Sequence, residues 1–265
     1  MAIRFALAFL LLFISPGLTR VARADEVAAT EARQVLAPTG VLRVALYPGT
    51  PTSVVSPTDL RGVGYELGKA LALRLGVPFR PMIFAKNADV LDAIKTGRAD
   101  AAFTNASAQR ATDMDFTQPY LAIELGFLAS AKSSIAASSG VDRPGVRLGV
   151  TANSSSDATL SHDLKQAQLV RVETVASGTQ MLSAGTLDVY ATNKATLFEM
   201  ADKLPGARIL DGSWGVERHA LAVPKGRDRG LAFARAFVAD VVASGLVKQA
   251  ADRAGLRGAA AGPPP

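Results

Sequence analysis

A twelve-residue segment occurs twice in this chain, and the repeat is the strongest constraint on the fold. Residues 94–105 read IKTGRADAAFTN and residues 182–193 read LSAGTLDVYATN. The copies share a glycine, an aspartate and a final Thr-Asn pair: Gly97 and Gly185, Asp100 and Asp188, Thr104 and Thr192, Asn105 and Asn193. Each copy predicts a helix that ends at the glycine, followed by a short apolar strand of a parallel sheet. Helix-Gly-strand units are common in α/β proteins, so the four identities favour duplication or convergence on one unit.

The Thr-Asn pair stands where each apolar strand ends. Ligands of open α/β sheets bind outside the carboxyl ends of the strands. Two copies therefore predict two similar lobes, each with a Thr-Asn pair that faces a shared cleft. About 240 residues remain after a leader is removed, which is enough for two lobes of roughly a hundred residues each.

The first 24 residues have the pattern of a secretory signal peptide. Arg4 precedes an unbroken apolar run from Phe5 to Ile14, and Ala22-Arg23-Ala24 forms a cleavage site before Asp25. The alternative is a membrane anchor, but ten apolar residues fall short of the ~20 that span a bilayer. We expect cleavage near Ala24-Asp25 and export, and no later segment is apolar enough to span a membrane.

Composition narrows the function classes. The chain has no cysteine, which excludes disulfides, thiol nucleophiles, cysteine-ligated metals and a lipid-modified N-terminal cysteine. We therefore expect a periplasmic protein that is not a lipoprotein. Cleavage removes three arginines and no acid, so the formal net charge falls from +6 to about +3. This mild charge, without a basic run or an aromatic-basic stripe, gives no support for nucleic-acid binding.

Predicted strands alternate with helices in two successive blocks, so the fold class is α/β. We expect two lobes, each a mostly parallel sheet flanked by helices. The last helices are expected to return to the first lobe, so that the chain crosses between the lobes along two strands. The expected parts are an N-terminal lead-in (25–40), lobe 1 (41–120 and 221–257), a crossover hinge (121–125 and 216–220), lobe 2 (126–215) and a disordered tail (258–265).

Arg110 follows the first Thr-Asn pair by five residues. Its planar guanidinium suits a carboxylate or sulfonate, which it would bind through two parallel charge-assisted hydrogen bonds. The alternative is a solvated side chain paired with Asp113 or Asp115. The sequence alone supports the two interpretations equally.

Ser154 and Ser155 lie where a predicted strand meets a helix. Free N–H groups and the helix dipole make such a place an anion site. The simpler interpretation is N-capping by Ser156 or Asp157, and the two are compatible. Trp214, the single tryptophan, lies near the second crossover and belongs either to a core, as single tryptophans usually do, or to the cleft wall.

Patterns that indicate catalysis are weak. The two histidines, His162 and His219, have no Gly-x-Ser-x-Gly motif beside them, and no His/Asp/Glu spacing indicates a metal site. Gly62-Val63-Gly64 is only a fragment of a dinucleotide-binding motif. We expect a protein that is not an enzyme and that needs no cofactor or metal.

Three linked segments carry a family resemblance. The first is GVLRV at 40–44 with GYELGKALA at 64–72 and RLGV at 74–77; the second is GRADA at 97–101 with Arg110 and DFTQPY at 115–120; the third is AVPKG at 222–226. In this order they resemble the bacterial periplasmic solute-binding proteins of polar-amino-acid-type ABC importers, which have the type II periplasmic binding fold. The resemblance covers most of the mature chain, about 41–257.

The resemblance implies a fold that closes about two crossover strands on a small solute and delivers it to an inner-membrane ABC permease. It implies that Arg110 binds the carboxylate of the solute. It also implies that Ser154 and Ser155 help at a helix start, where Asn153 replaces the glycine of the family.

Departures from the family pattern affect which kind of solute the site can bind. Asn193 stands where amino-acid binders usually place an aspartate for the α-ammonium group, so a zwitterionic solute loses that ion pair. The segment from Asn105 to Arg110 is shorter than usual, which affects the hydroxyls of Thr104 and Ser107.

The sequence thus predicts a monomeric receptor that captures a small carboxylate-bearing solute, amino-acid-like or an organic anion. Tyr47 is the candidate aromatic of the first loop, although the Pro-Gly-Thr-Pro run after it differs from the family. The expected ligand-binding residues are Arg110, Thr104, Asn105, Ser107, Ser154, Ser155, Asn193, Tyr47 and Trp214. Two alternatives stay open: an enzyme like the periplasmic cyclohexadienyl dehydratases, with Glu173 or Glu217 as general acid, and a solute sensor for a membrane receptor.

Overall fold

The structure, a computed structural model, describes residues 29–261. The expected signal peptide and residues 262–265 lie outside this range. Within the expected lead-in, residues 29–36 form a helix, α1. This helix buries Ala32 and Leu36 in the core of lobe 1, so the described part of the lead-in belongs to that lobe.

Lobe 1 begins with three parallel strands and two helices. They are β1 (Leu42–Leu46), α2 (Val63–Leu75), β2 (Phe79–Ile83), α3 (Asn87–Lys95) and β3 (Ala101–Asn105). Helix α2 buries Leu67, Leu71 and Leu75, whose four-residue spacing predicts the helix. It ends at Gly76, which has the left-handed conformation that a glycine adopts without strain. A 3-10 turn (Arg110–Thr112) then leads into the long strand β4 (Met114–Ala129).

Lobe 2 repeats this plan. Its elements are β5 (Arg147–Thr151), α4 (Ser155–Asp163), β6 (Gln168–Val172), α5 (Val175–Ala184), β7 (Val189–Asn193), α6 (Lys194–Ala201) and the short β8 (Arg208–Ile209). The chain returns to lobe 1 along β9 (Gly215–Pro224), α7 (Asp228–Ala243) and α8 (Leu246–Arg253).

The strands join in the order β2-β1-β3-β9-β4-β7-β5-β6. Pairing is parallel within β2-β1-β3 and within β7-β5-β6. Strands β4 and β9 pair with each other in antiparallel fashion and run through both halves. This arrangement confirms the expected α/β fold of two mostly parallel lobes with two crossover strands. The segments 121–125 and 216–220 lie within these strands, and their role as the hinge stays a prediction.

Each lobe has its own hydrophobic core. The core of lobe 1 joins β1 and α2 to the returning helix α7, which buries Phe237 and Val241. The core of lobe 2 joins β5 and β7 to β4 through Leu148, Val189 and Phe127. Among the described residues no single helix is long and apolar enough to cross a membrane; α7 and α8 meet those criteria only as a pair bent by 69°.

The repeat has a structural reason in both lobes. Asp100 accepts hydrogen bonds from the backbone N–H and the guanidinium of Arg43 on β1, at 3.0 and 2.8 Å. Asp188 accepts the same pair from Arg147 on β5, at 2.8 and 3.0 Å. Each arginine also donates to the carbonyl oxygen of the repeated glycine, at 2.9 Å in lobe 1 and 2.8 Å in lobe 2. This clasp fixes the end of a helix to the first strand of each lobe, and the next strand then carries its Thr-Asn pair to the same side of the sheet.

The C-terminal tail is ordered over its described part, contrary to expectation. Residues Ala259–Ala261 form β10, which pairs with β4 in antiparallel fashion, Ala259 opposite Ile123. Arg257 reaches across to α6 of lobe 2, where it donates to Asp202 at 3.2 and 2.5 Å and lies over Phe198. The Ala/Gly composition suggested disorder because such small side chains bury little apolar surface. The tail nevertheless forms a strand, since backbone hydrogen bonds along the edge of β4 need no side chain.

We call residues 257–261 the C-terminal strap. Replacing Arg257 with alanine is expected to speed amide hydrogen exchange in β10 by up to about fivefold, because exposed ion pairs contribute only about 0–1 kcal/mol. Exchange in α5 should not change. Lys248→Ala is the matched control, since Lys248 pairs only within α8, with Asp252 at 2.7 Å, among the residues the structure describes. Equal exchange in the two variants would show that Arg257 does not hold the strap.

Candidate functional site

The carboxyl ends of β3 and β7 face one cavity of about 100 Å³ between the lobes. Both Thr-Asn pairs of the repeat line this cavity, as the sequence predicts. The loop after β1, the start of α3, the 3-10 turn, the end of β5, the first turns of α4 and α6, and strand β9 supply the rest of its polar wall. Those further polar residues are Tyr47, Thr50, Thr52, Ser53, Asn87, Arg110, Thr151, Ser154, Ser155, Thr196, Glu217 and His219.

Direct contacts between the lobes surround the cavity. The hydroxyl oxygen of Thr50 lies 3.5 Å from that of Thr196. At the rim, the ammonium of Lys86 lies 2.8 Å from the carboxylate of Glu173. The lobes are therefore closed on the cavity in this structure.

Tyr47 forms part of the cavity wall in lobe 1. Its backbone N–H donates to the hydroxyl of Ser53 at 2.9 Å, which holds the loop after β1 in place. Burial raises the pKa of the Tyr47 phenol, and a hydrogen bond with the backbone of Val175 in lobe 2 opposes the rise. Tyr47 is therefore placed at the interface of the lobes, and its role as the first-loop aromatic that contacts the solute stays a prediction.

Arg110 begins the 3-10 turn and points its guanidinium at the cavity. Its Nη1 donates to the hydroxyl of Thr104 and to the carbonyl of Asn105, both at 3.0 Å. The acids that the sequence offered as partners are engaged elsewhere: Asp113 with Lys95 and Asp115 with Lys225. Among the described residues no carboxylate forms a salt bridge with Arg110, and its Nε and Nη2 atoms donate no hydrogen bond.

The electrostatic setting of Arg110 is unusual for an arginine. Burial lowers its pKa, and the nearby charge of Glu217 opposes that change. A guanidinium stays protonated in either case, because arginine is not deprotonated in proteins. The free edge of a partly buried, charged guanidinium is therefore available for an anion.

Ser154 and Ser155 start α4 and line the cavity. Ser154, rather than Ser156 or Asp157, is the N-cap: its hydroxyl accepts from the N–H of Asp157 at 3.0 Å. The hydroxyl of Ser155 donates to Glu217. The backbone N–H groups of Ser155 and Ser156 have no acceptor in the part of the chain that the structure describes, so this helix start retains two free donors beside the cavity.

The turn before α4 requires a left-handed residue. Asn153 has φ of 59°, the one positive φ of a non-glycine among residues 29–261. Asparagine tolerates this region better than other side chains, which explains why it stands in for the glycine of the family. Its N–H donates to the carboxylate of Asp157 at 3.0 Å, which closes the turn.

Two substitutions test this turn. Asn153→Ala is expected to lower the free energy of unfolding by roughly 1 kcal/mol, because alanine has no local compensation for a positive φ. Asn153→Gly is expected to be close to neutral, since glycine adopts the conformation without strain. Urea denaturation of both variants provides the measurement, and an alanine variant as stable as the glycine variant would contradict the backbone argument.

Two expected site residues lie outside the cavity. Trp214 stacks on Phe127 with ring centroids 5.9 Å apart, and its indole N–H donates to the carbonyl of Gly126 at 3.0 Å. It packs against the core of lobe 2 because that core offers an aromatic ring for stacking and a carbonyl oxygen that accepts the indole hydrogen bond. Ser107 accepts from the N–H of Arg110 at 3.2 Å and lines a neighbouring groove rather than the cavity.

The two asparagines of the repeat line the cavity, but their side-chain oxygens accept hydrogen bonds from backbone N–H groups of the protein. Asn105 accepts from the N–H of Arg218 at 2.9 Å, which ties β3 to β9. Asn193 accepts from the N–H of Thr196 at 3.0 Å and so caps α6. Its amide nitrogen donates to Glu217 at 2.8 Å.

Glu217 lines the cavity in a role that the sequence did not indicate, since the sequence offered this residue only as a general acid. It lies on β9 and is 7% exposed. Its carboxylate accepts from Ser155 and Asn193, and His219 Nε2 lies 3.3 Å away. Burial raises the pKa of Glu217, but the hydrogen bond and charge interaction with His219 and the hydrogen bonds from Ser155 and Asn193 together outweigh it and hold the pKa well below its usual range. The sequence contains one sign of this role: Glu217 and His219 are two residues apart in an expected crossover strand, and this spacing puts both side chains on one face of the strand.

The fold places a polar cavity between two α/β lobes, an arrangement that suits the binding of a small solute. The model of the family described as bacterial extracellular solute-binding proteins, family 3, matches residues 42–255. The chain belongs to this family. A comparison with curated proteins gave no match.

Solved structures share the fold. The solute receptor for L-cysteine of Neisseria gonorrhoeae is 22% identical, with a TM-score of 0.74 over 85% of this chain and 93% of that chain. An amino acid ABC transporter substrate-binding protein from Streptococcus pneumoniae, bound to L-arginine, is 19% identical, with a TM-score of 0.74 over 83% and 97%. An ancestral amino-acid-binding protein, a precursor of cyclohexadienyl dehydratase, is 21% identical, with a TM-score of 0.70 over 82% and 96%. These identities are low, so the comparison bears on the fold alone.

Proposed function

We propose that this protein is a periplasmic receptor that captures a small carboxylate-bearing solute and delivers it to an inner-membrane ABC permease. One observation carries the proposal: Arg110 presents a free guanidinium edge to a closed cavity between the lobes, with no carboxylate partner among the described residues. The charge of Glu217 acts on Arg110, but the free edge of the guanidinium has no hydrogen-bonded acceptor among the described residues. A solute carboxylate would supply that acceptor through two parallel charge-assisted hydrogen bonds.

The start of α4 supports the same assignment. The free N–H groups of Ser155 and Ser156 and the helix dipole favour an anion on the lobe 2 side of the cavity. A carboxylate held by Arg110 and by this helix start would join the two lobes. Because such a solute contacts both lobes only when they are closed, binding would shift the population towards the closed form.

The importer role rests on the family and on its relatives. Structures of similar fold belong to an amino acid ABC transporter and to a receptor for L-cysteine. Export after cleavage near Ala24-Asp25 would place the protein in the periplasm, and the lack of cysteine is incompatible with a lipoprotein anchor. A solute sensor for a membrane receptor would use the same site, and permease and ATPase genes beside this one would favour transport.

The enzyme alternative is weaker because of the state of its two candidate acids. Glu217 is ionised at neutral pH, since its pKa is lowered, and a general acid must hold a proton. Glu173 is exposed and paired with Lys86 at the rim. Incubation with prephenate should therefore give no phenylpyruvate, and its formation would favour the dehydratase.

A solute panel tests the proposal. The protein is unfolded in denaturant, dialysed and refolded to remove any solute bound during purification, and is then titrated by calorimetry with small carboxylates and with their uncharged amides. We expect at least one carboxylate to bind and its amide to bind at least about 100-fold more weakly, because the ion pair with Arg110 is lost. Equal binding of acid and amide would overturn the proposal.

A further inference from the structure

The charges in the cavity are few and complementary. Among its lining residues in the described part of the chain, Arg110 carries a positive charge and Glu217 a negative one. The carboxylate of Glu217 offers about four lone-pair positions. Ser155, Asn193 and His219 occupy three of them. One position of a buried, ionised carboxylate is left for a further donor.

His219 lies two residues from Glu217 on β9, so the two side chains share one face of the strand. Its Nε2 faces the carboxylate at 3.3 Å, while its Nδ1 is buried and has no hydrogen-bond partner in the range that the structure describes. The cavity therefore presents the carboxylate of Glu217 and the guanidinium of Arg110 to one solute.

We infer that Glu217 is the cation-binding residue of this site, and that the solute is a zwitterion with a small, uncharged side chain. The inference rests on the proposed function, in which Arg110 takes the carboxylate. Asn193, which the sequence marked as the loss of an ion pair, donates its amide to Glu217 at 2.8 Å. The negative charge is thus supplied from β9 instead of from the end of β7.

The size of the cavity favours a small side chain. An engineered cavity of about 150 Å³ holds benzene, so a cavity of about 100 Å³ leaves room for few atoms beyond a carboxylate, an α-carbon and an ammonium. The remaining wall offers hydroxyls, among them Thr50, Thr52 and Thr196, all less than a tenth exposed. A third charge on the solute would have no counter-charge there and would be strongly disfavoured.

Binding to the unmodified protein provides the first arm of the test. L-alanine and L-serine are titrated against propionate and L-lactate, which lack the ammonium group, and against L-arginine and L-glutamate, which add a charge. We expect the small amino acids to bind at least about 100-fold more tightly than either other group. Binding of propionate or L-lactate as tight as that of L-alanine would overturn the inference and leave the receptor proposal standing. If no carboxylate in the set binds, the receptor proposal itself fails.

Variants provide the second arm. Glu217→Gln keeps the size and one acceptor but removes the charge, and it should weaken amino-acid binding at least about 100-fold while leaving propionate unchanged or improved. Glu66→Gln is the matched control, because this carboxylate pairs with Arg253 within lobe 1 and does not line the cavity, and it should bind as the unmodified protein does. Circular dichroism checks that the Glu217 variant is folded, and if it is not, the titrations of the unmodified protein decide. A folded Glu217→Gln protein with unchanged amino-acid affinity would overturn the inference.

Discussion

Replacing Arg110 with alanine is expected to weaken solute binding by at least about 100-fold, which is the largest functional effect that the site predicts. The substitution removes the positive charge of the cavity and both free donor positions, while Glu217 stays ionised opposite. The solute carboxylate would then be repelled as well as unpaired. Calorimetric titration with the best solute of the panel measures the change.

Asp113→Ala is the matched control for Arg110→Ala. Asp113 lies three residues away in the sequence, but its carboxylate pairs with Lys95 at 3.0 Å on the surface. This variant should bind the solute with unchanged affinity. Arg110→Lys should recover only part of the binding, because an ammonium cannot form two parallel hydrogen bonds with a carboxylate. Equal affinities of the Arg110→Ala and Asp113→Ala proteins would reject the assignment of Arg110.

Asp100→Asn is expected to lower the free energy of unfolding by about 3–5 kcal/mol, the largest effect on stability. The carboxylate of Asp100 is fully buried and holds two guanidinium groups, those of Arg43 at 2.8 Å and Arg227 at 3.0 Å. An amide removes the negative charge and leaves both cations with no carboxylate partner among residues 29–261. The urea midpoint at neutral pH measures the loss.

The second copy of the repeat provides the control for this experiment. Asp188 makes the same clasp with Arg147, but its side chain is 28% exposed and it has no second arginine in the described structure. Water therefore replaces part of what the substitution removes, so Asp188→Asn should be clearly milder than Asp100→Asn. Equal losses would show that burial does not decide the strength of the clasp.

The fold was predictable because its signals are local. The spacing of Leu67, Leu71 and Leu75 gives a helix, and the repeat gives the order of helix, glycine and buried strand. The same order of elements places both Thr-Asn pairs at strand ends, where an α/β sheet binds its ligands. Arg110 was a candidate for the same reason, since it follows one of these ends by five residues.

The centre of the site was not predictable, because it depends on long-range contacts. Glu217 is joined to Ser155 and Asn193, which lie 62 and 24 residues away along the chain. No spacing pattern reveals that three such segments meet. The interpretation of Asn193 as the loss of a charge was incomplete for the same reason, since its amide holds a carboxylate from another strand.

Composition misled at the C-terminal tail. The Ala/Gly/Pro tail was expected to be disordered, but β10 uses backbone groups that composition does not describe. For Trp214 the sequence left a core and the cleft wall open, with a core as the usual place of a single tryptophan, and its ring packs on Phe127 in lobe 2.

A crystal structure of the protein with its tightest-binding solute tests the account most directly. The account predicts electron density inside the cavity, with a carboxylate within hydrogen-bond distance of Arg110 and a cationic group within that distance of Glu217. Atoms of both lobes should contact the solute. A solute bound to one lobe alone, or outside the cavity that the two Thr-Asn pairs line, would contradict the account.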